Sequence, residues 1–192
     1  MDFTKLLKRR CTVRRFEQRP VSDEDLRFLL EAARNASSGA NQQPLRYIVV
    51  RTPGLSEAIL PLTAWAALVT PRRIPVAGVS APPAWIAVHA PSGRSAESVL
   101  PDAGAAVQSM EFAAVERGLG CCWLGAIQRE KIAELLALPQ DRKLLYLVAV
   151  GYPAEEPLHE DAAVGGSLAY YLDDADTLHI PKVPLAEVAV WK

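Results

Sequence analysis

The 192-residue sequence predicts a layered α+β domain. Two kinds of apolar patterning alternate along it. Helical stripes such as Leu26, Leu29, Leu30 and Ala33 follow Ser22, while continuous apolar runs such as AWIAVHA (84–90) and KLLYLVAVGYP (143–153) read as buried strands. Helices and strands come in mixed order, with neither an internal repeat nor a linker-like tract, so one domain is expected over residues 1–192.

The elements follow in order. Asp2 to Lys8 carries Phe3, Leu6 and Leu7 at helical spacing and leads into a charged loop, Arg9 to Arg15. Ser22 with Asp25 three positions on resembles a capping box and starts the helix DEDLRFLLEAARNA. SSGANQQP (37–44) is dense in turn formers and amides, and LRYIVVRT (45–52) reads as a core strand stopped by Pro53 and Gly54. Between Leu55 and Pro83 a helix broken near Pro61 gives way to a flap of loop. After the strand Ala84–Ala90, a long helix is expected over Asp102–Arg117, interrupted by Gly118 and Gly120. CCWLGAI (121–127) then extends, EKIAELLAL (130–138) forms a helix stopped by Pro139, and the strand from Lys143 ends at Gly151. Residues 177–192 are expected to form an extended C-terminal arm.

Composition narrows the function. Lys plus Arg total 21 against 22 Asp plus Glu, for a net charge of -1, so bulk charge makes no case for nucleic acid or an anionic membrane. No apolar stretch reaches the roughly 18 residues of a membrane span, and the N-terminus lacks the apolar core of a secretory signal. Cys11, Cys121 and Cys122 are an odd set with two adjacent, a poor disulfide framework that fits a reducing compartment, and the cytoplasm is the expected location.

Four arginines, Arg9, Arg10, Arg14 and Arg15, surround Thr12, and their donor forks suit a phosphate monoester. Taken alone, such a cluster is more often a solvated basic face. Ser37, Ser38, Asn41, Gln42 and Gln43 suit the polar edge of a ring or a polyol chain, or simply a polar turn. There is no GxGxxG between strand and helix, no GxxxxGK[ST] and no GxSxG elbow. His89, His159 and His179 lack metal-ligand spacing, and Cys121 and Cys122 are read as core residues.

Arg10, Thr12 and Arg14, then SSGANQQP, GLGCCWLG and VAVGYP, in this order over nearly the whole chain, resemble the FMN-dependent nitroreductase family. The resemblance implies a mixed, mainly antiparallel central sheet flanked by helices, an intertwined homodimer with residues 177–192 as dimer arm, and two FMN sites at the subunit interface. It implies that Arg10, Cys11, Thr12 and Arg14 open the cofactor site, with the arginines at the phosphate and Thr12 in place of the common serine. Ser38, Asn41 and Gln43 match a motif that reaches across the dimer to the ribityl chain and ring. Gly125 and Ala126 match the backbone facing the isoalloxazine, and Lys182 falls where the family often has another phosphate-contacting arginine. Departures are Ser37 for a frequent proline, Leu45 for a common tryptophan, and Lys182 itself, which keeps charge but not the bidentate fork.

The implied activity is ping-pong: NADH or NADPH delivers hydride to FMN, leaves, and a small-molecule electron acceptor such as a nitroaromatic or quinone takes its place. No catalytic side chain is required of the protein, because the flavin carries the chemistry. Two other readings are a flavoenzyme that oxidises an organic substrate and a noncatalytic FMN-binding dimer.

Overall fold

A computed structural model describes residues 2–192 of the chain. In order, the elements are α1 (Phe3–Arg9), α2 (Asp23–Arg34), β1 (Arg46–Val50), α3 (Pro53–Ile59), β2 (Ala84–Pro91), α4 (Ala96–Glu116), β3 (Gly120–Leu124), α5 (Arg129–Leu135), β4 (Arg142–Gly151), β5 (Leu158–Asp161), β6 (Tyr171–Leu172), β7 (Leu178–Lys182) and α6 (Leu185–Val188). The main sheet has the order β1-β2-β4-β3 with every neighbouring pair antiparallel. This is the α+β arrangement that the sequence predicts.

Both faces of the sheet are covered, which is why β2 and β4 read as continuous apolar runs rather than alternating ones. Alternate residues sort into two cores. Ala84, Ile86, Val88 and Ala90 pack with Val148 and Val150 under α2 and α4, while Trp85, Ala87, Leu147 and Ala149 pack with Phe16, Ile59, Trp65 and Ile132. Cys121 and Cys122, adjacent on β3, fall on opposite faces for the same reason. Trp85 is fully buried and its indole N–H donates to Ser56 Oγ at 2.8 Å, which in turn donates to the Pro82 carbonyl at 3.1 Å, so the one polar atom of the ring is satisfied.

The α2 start is capped as expected: Ser22 Oγ accepts from the Asp25 N–H at 3.0 Å and donates to Asp25 Oδ2 at 2.7 Å. The long helix starts earlier than Asp102, at Ala96. Pro101 lies inside its second turn, where the ring removes one backbone hydrogen bond without ending the helix. The break near Pro61 is a change from α3 into a 3₁₀ turn at Leu60–Leu62.

A second, three-stranded sheet has the order β5-β7-β6, with β7 parallel to β5 and antiparallel to β6. It divides the expected arm. Residues 178–182 are a strand held by their own chain, and only the stretch after Lys182, with one helical turn, projects; there Leu185, Val188, Val190 and Trp191 are all more than 60% exposed. Among the described residues no helix is long and apolar enough to cross a membrane.

Candidate functional site

The basic segment is held as an extended cover on the free edge of β3. Thr12 bridges Cys121 in parallel, the Val13 N–H donates to the Cys121 carbonyl at 2.9 Å, and the Glu17 N–H donates to the Tyr152 carbonyl at 2.9 Å. This close approach requires glycine at position 120, since a Cβ there would lie 2.5 Å from Val13 Cγ2. The GLGCCWLG glycine therefore serves the basic segment, as well as the turn out of α4.

The four arginines do not converge. Arg9 lines a cleft, Arg10 Nη1 lies 3.6 Å from Glu111 Oε2, Arg14 stacks 5.1 Å over the Tyr170 ring, and Arg15 Nη1 bonds Asp176 Oδ2 at 3.2 Å. Their shared backbone is fixed by Glu155, whose Oε1 accepts from the N–H groups of Arg14 and Arg15. Glu155 Oε2 is in turn 2.8 Å from Arg73 Nε, and both side chains are almost wholly buried. Glu111 is a buried carboxylate on α4; burial raises its pKa, and Arg10 opposes the rise.

Two clefts of similar size carry four of the expected site residues: Cys11 and Lys182 line one, Ser38 and Gln43 the other, while Arg10, Thr12, Arg14, Asn41, Gly125 and Ala126 line neither. One, of about 810 Å³, is lined by Lys8, Arg9, Cys11, Gly120, His159 and Lys182 among others. Three cations, Lys8, Arg9 and Lys182, share its lining with four acids, Glu155, Glu156, Glu160 and Asp161, so it is a cleft of mixed charge. Arg10 does not line it, yet Arg10 and Lys182 together disfavour protonation of His159, whose pKa burial and these two charges bring down to about 4. The other, of about 860 Å³, is lined by Ser37, Ser38, Gln42, Gln43, Tyr47 and Asp102 among others.

The amide loop in the second cleft is strained and pinned. Ala40, Asn41 and Gln43 take φ values of 49°, 52° and 46°, a region that costs non-glycine residues about 1–2 kcal/mol each. Asp102, from α4, holds them: Oδ2 accepts from Ser38 Oγ at 2.6 Å and Oδ1 from the Gly39 N–H at 3.0 Å. Ser38 Oγ accepts from the Gln43 N–H at 2.8 Å, and Gln43 Nε2 donates to Asn41 Oδ1 at 2.7 Å. The three expected residues of this loop thus form one hydrogen-bonded unit.

Gly125 and Ala126 leave β3 toward α5. The Ala126 carbonyl accepts from the Ala64 N–H at 2.9 Å, which ties this turn to the start of the flap, and the Gly125 carbonyl accepts from Arg129 Nη2 at 2.8 Å. Within one chain, the mixed-charge cleft and the amide loop stay apart. They meet α4 at Val115 and at Asp102 to Ala106, a separation of 9 to 13 residues or about 14–20 Å along the helix.

The three thiols are not poised as nucleophiles. Burial pushes the thiols of Cys11, Cys121 and Cys122 up, that of Cys122 to about 12, so all three are protonated at neutral pH. Among the described residues no group of three or more His, Cys, Asp or Glu could hold a metal ion.

Sequence reasoning missed Asp102, Glu111, Glu155, Arg73 and His159. A signal existed for the first two, since both fall on the stripe Val99, Ala103, Ala106, Met110 and Ala114 that α4 buries. An acid on such a stripe calls for a partner.

A protein-family model described as the nitroreductase family matches residues 7–152. A protein of Archaeoglobus fulgidus, provisionally named NADH dehydrogenase/NAD(P)H nitroreductase, is 30% identical over 156 residues, covering 79% of this chain and 86% of that protein. A Methanothermobacter thermautotrophicus protein of the same provisional name is 27% identical over 95% of this chain and 88% of its own. Among solved structures, a provisionally named nitroreductase from Desulfovibrio desulfuricans in complex with FMN aligns over 100% of this chain and 97% of its own, at TM-score 0.73 and 27% identity. With the match spanning the sheet, the basic segment and the amide loop alike, the chain belongs to the nitroreductase family.

Proposed function

We propose that this chain is an FMN-dependent NAD(P)H oxidoreductase that acts as a homodimer and reduces nitroaromatics, quinones or related electrophiles. The observation that carries the reading is the pair of separated clefts: one that brings Lys8, Arg9 and Lys182 around His159, the other lined by a pinned amide loop, each half of what a phosphate-bearing polar ring system needs. The FMN complex of the D. desulfuricans relative supports the choice of cofactor.

The residues fit the group. Lys182, with Arg10 close by, supplies positive charge for a phosphate, and a buried ring nitrogen of His159 in the same cleft has no hydrogen-bond partner. Cys11 lines that cleft, and Thr12 and Arg14 follow on the same backbone. Ser38, Asn41 and Gln43 offer an amide and hydroxyl edge whose conformation Asp102 sets in advance, so little ordering cost falls on binding. Gly125 and Ala126 offer backbone without side-chain bulk at the end of β3. Because the two clefts lie far apart along α4, a second copy of the chain is the simplest source of the missing half of each site. The exposed apolar residues after Lys182 give that copy a surface to cover, in the role of a dimer arm.

FMN, when bound, supplies hydride acceptance from NADH or NADPH and electron delivery to the acceptor, the two substrates using one site in turn. The protein binds, orients and excludes water, and no side chain acts as nucleophile, which agrees with its protonated thiols.

The test is the anaerobic visible spectrum of the purified protein with FMN, before and after separate additions of NADH and NADPH. Bleaching of a protein-bound flavin band by either donor, followed by recovery on adding a quinone or nitroaromatic, is expected. Bound flavin that neither donor bleaches would remove the oxidoreductase assignment, and absence of bound flavin would remove the cofactor.

A further inference from the structure

His159 sits on β5, whose parallel pairing with β7 sets it opposite Ile180 and sets the next residue but one, Asp161, opposite Lys182. His159 lines the mixed-charge cleft that Cys11 and Lys182 also line. Its Nε2 is shielded from solvent and has no hydrogen-bond partner. Most buried polar side-chain atoms are bonded, so an orphaned ring nitrogen inside a cleft of this size marks a position that a ligand atom completes.

The charged surroundings decide what kind of ligand atom. Lys8 and Arg9 come from α1, Lys182 from β7, and Arg10 acts on the ring from the segment between. The acids lining the same cleft are Glu155, Glu156, Glu160 and Asp161. Two of them are committed elsewhere: Glu155 to the Arg14 and Arg15 backbone and to Arg73, Glu160 to His179 and Tyr171. The charges left over in the lining are three cations, Lys8, Arg9 and Lys182, against two acids, Glu156 and Asp161, a positive balance around the His159 ring that favours an oxyanion.

We propose that His159 is a further phosphate-binding residue of the FMN site, donating Nε2–H to a phosphate oxygen alongside Lys182. The inference rests on the FMN reading above and assigns a role to a residue outside the family motifs. An imidazole N–H suits this place because it adds a directional hydrogen bond to the charge that Lys182 and Arg9 supply. It also restores direction to a contact where Lys182, unlike an arginine, offers no fixed fork.

Riboflavin, which has the ring and ribityl chain of FMN but no phosphate, provides the control. Dissociation constants for FMN and riboflavin would be measured by titration calorimetry on the full chain, for the wild type, His159→Phe and His159→Gln. His159→Phe is expected to weaken FMN by about tenfold or more, the loss of one hydrogen bond to a charged group, and to leave riboflavin unchanged. His159→Gln keeps an N–H donor and is expected to stay within about threefold of the wild type for FMN. Equal weakening of both flavins would make His159 a packing residue and overturn the proposal. So would unchanged FMN affinity in His159→Phe, or a loss in His159→Gln as large as in His159→Phe. A wild type that binds neither flavin would overturn the FMN reading itself, an outcome distinct from these.

Discussion

The Nε of Arg73 lies 2.8 Å from Oε2 of Glu155, in a pair that water hardly reaches: the two side chains are 1% and 6% exposed. Arg73 belongs to the flap and Glu155 to the turn after β4, and Glu155 also holds the Arg14 and Arg15 backbone. The flap and the basic segment therefore share one anchor. Glu155→Ala leaves a buried guanidinium with only Asp176 beside it, and a loss of about 3–5 kcal/mol is expected in urea unfolding. The double variant Arg73→Met/Glu155→Leu should recover most of that loss, since it removes both charges together. FMN affinity should stay low in the double variant, because the Arg14 and Arg15 N–H groups still lack their acceptor.

Asp102→Ala should release the amide loop. It removes the acceptor for Ser38 Oγ and the Gly39 N–H, and the positive φ values at residues 40, 41 and 43 lose the contacts that hold them. Unfolding free energy should fall by about 1.5–3 kcal/mol, and flavin affinity should fall with it. Ser38→Ala, which leaves the Gly39 contact in place, should cost less in both measurements.

A pH dependence is expected from His179. Its Nδ1 lies 2.9 Å from Glu160 Oε2 and its Nε2 3.1 Å from Asp173 Oδ2, and hydrogen bonds to the two carboxylates raise its pKa. The folded form holds the proton more tightly than the unfolded chain. Its stabilisation is therefore complete below the unfolded value, near 6.5, and fades as pH rises through the folded pKa. The same contacts lower the pKa values of Glu160 and Asp173, so their contribution is present above about pH 4 and fades on acidification below it. Stability curves for wild type and His179→Gln should differ most between about pH 4.5 and 6.5 and converge in alkali. A constant gap across that range would remove the assignment.

His89 works in the opposite direction. Burial and the nearby Arg142 bring its pKa down to about 4, and its Nδ1 accepts from Arg142 Nε at 2.9 Å, which requires the neutral ring. The unfolded chain gains this proton near pH 6.5 and the folded one only near 4, so stability should fall with pH between these values. In His89→Gln that part of the slope should be missing from the unfolding midpoint measured across the same interval.

Gly120→Ala should destabilise by about 1–3 kcal/mol, because the new Cβ meets Val13 at 2.5 Å. Pairing it with Val13→Ala, which removes the two Cγ atoms, should restore part of the loss. Recovery of FMN affinity in the same double variant would tie the cofactor site to the seating of the basic segment rather than to its charge.

Secondary structure was legible in the sequence wherever periodicity or capping chemistry is local. The apolar runs at Ala84–Ala90 and Lys143–Gly151 became β2 and β4, and the Ser22 cap starts α2. The small sheet was not legible, since β5, β6 and β7 are two to five residues long, of mixed polarity, and gain their partners only through folding. The site divides in the same way. The amide loop and the basic segment announced themselves by composition, but what positions them comes from far along the chain: Asp102 lies 64 residues from Ser38, and Glu155 141 residues from Arg14. His159 gave no signal because a histidine between Leu158 and Glu160 has no spacing to read.

The extended segment over β3 has a further effect. A sheet edge with unpaired backbone groups invites another chain to add a strand, and the Val13 to Cys121 bond occupies that edge with the protein's own N-terminal region. The residues that would hold the cofactor therefore also act as a guard against aggregation. A chain whose basic segment is loosened would lose solubility together with flavin, and cofactor binding would protect the protein during expression as well as equip it for turnover.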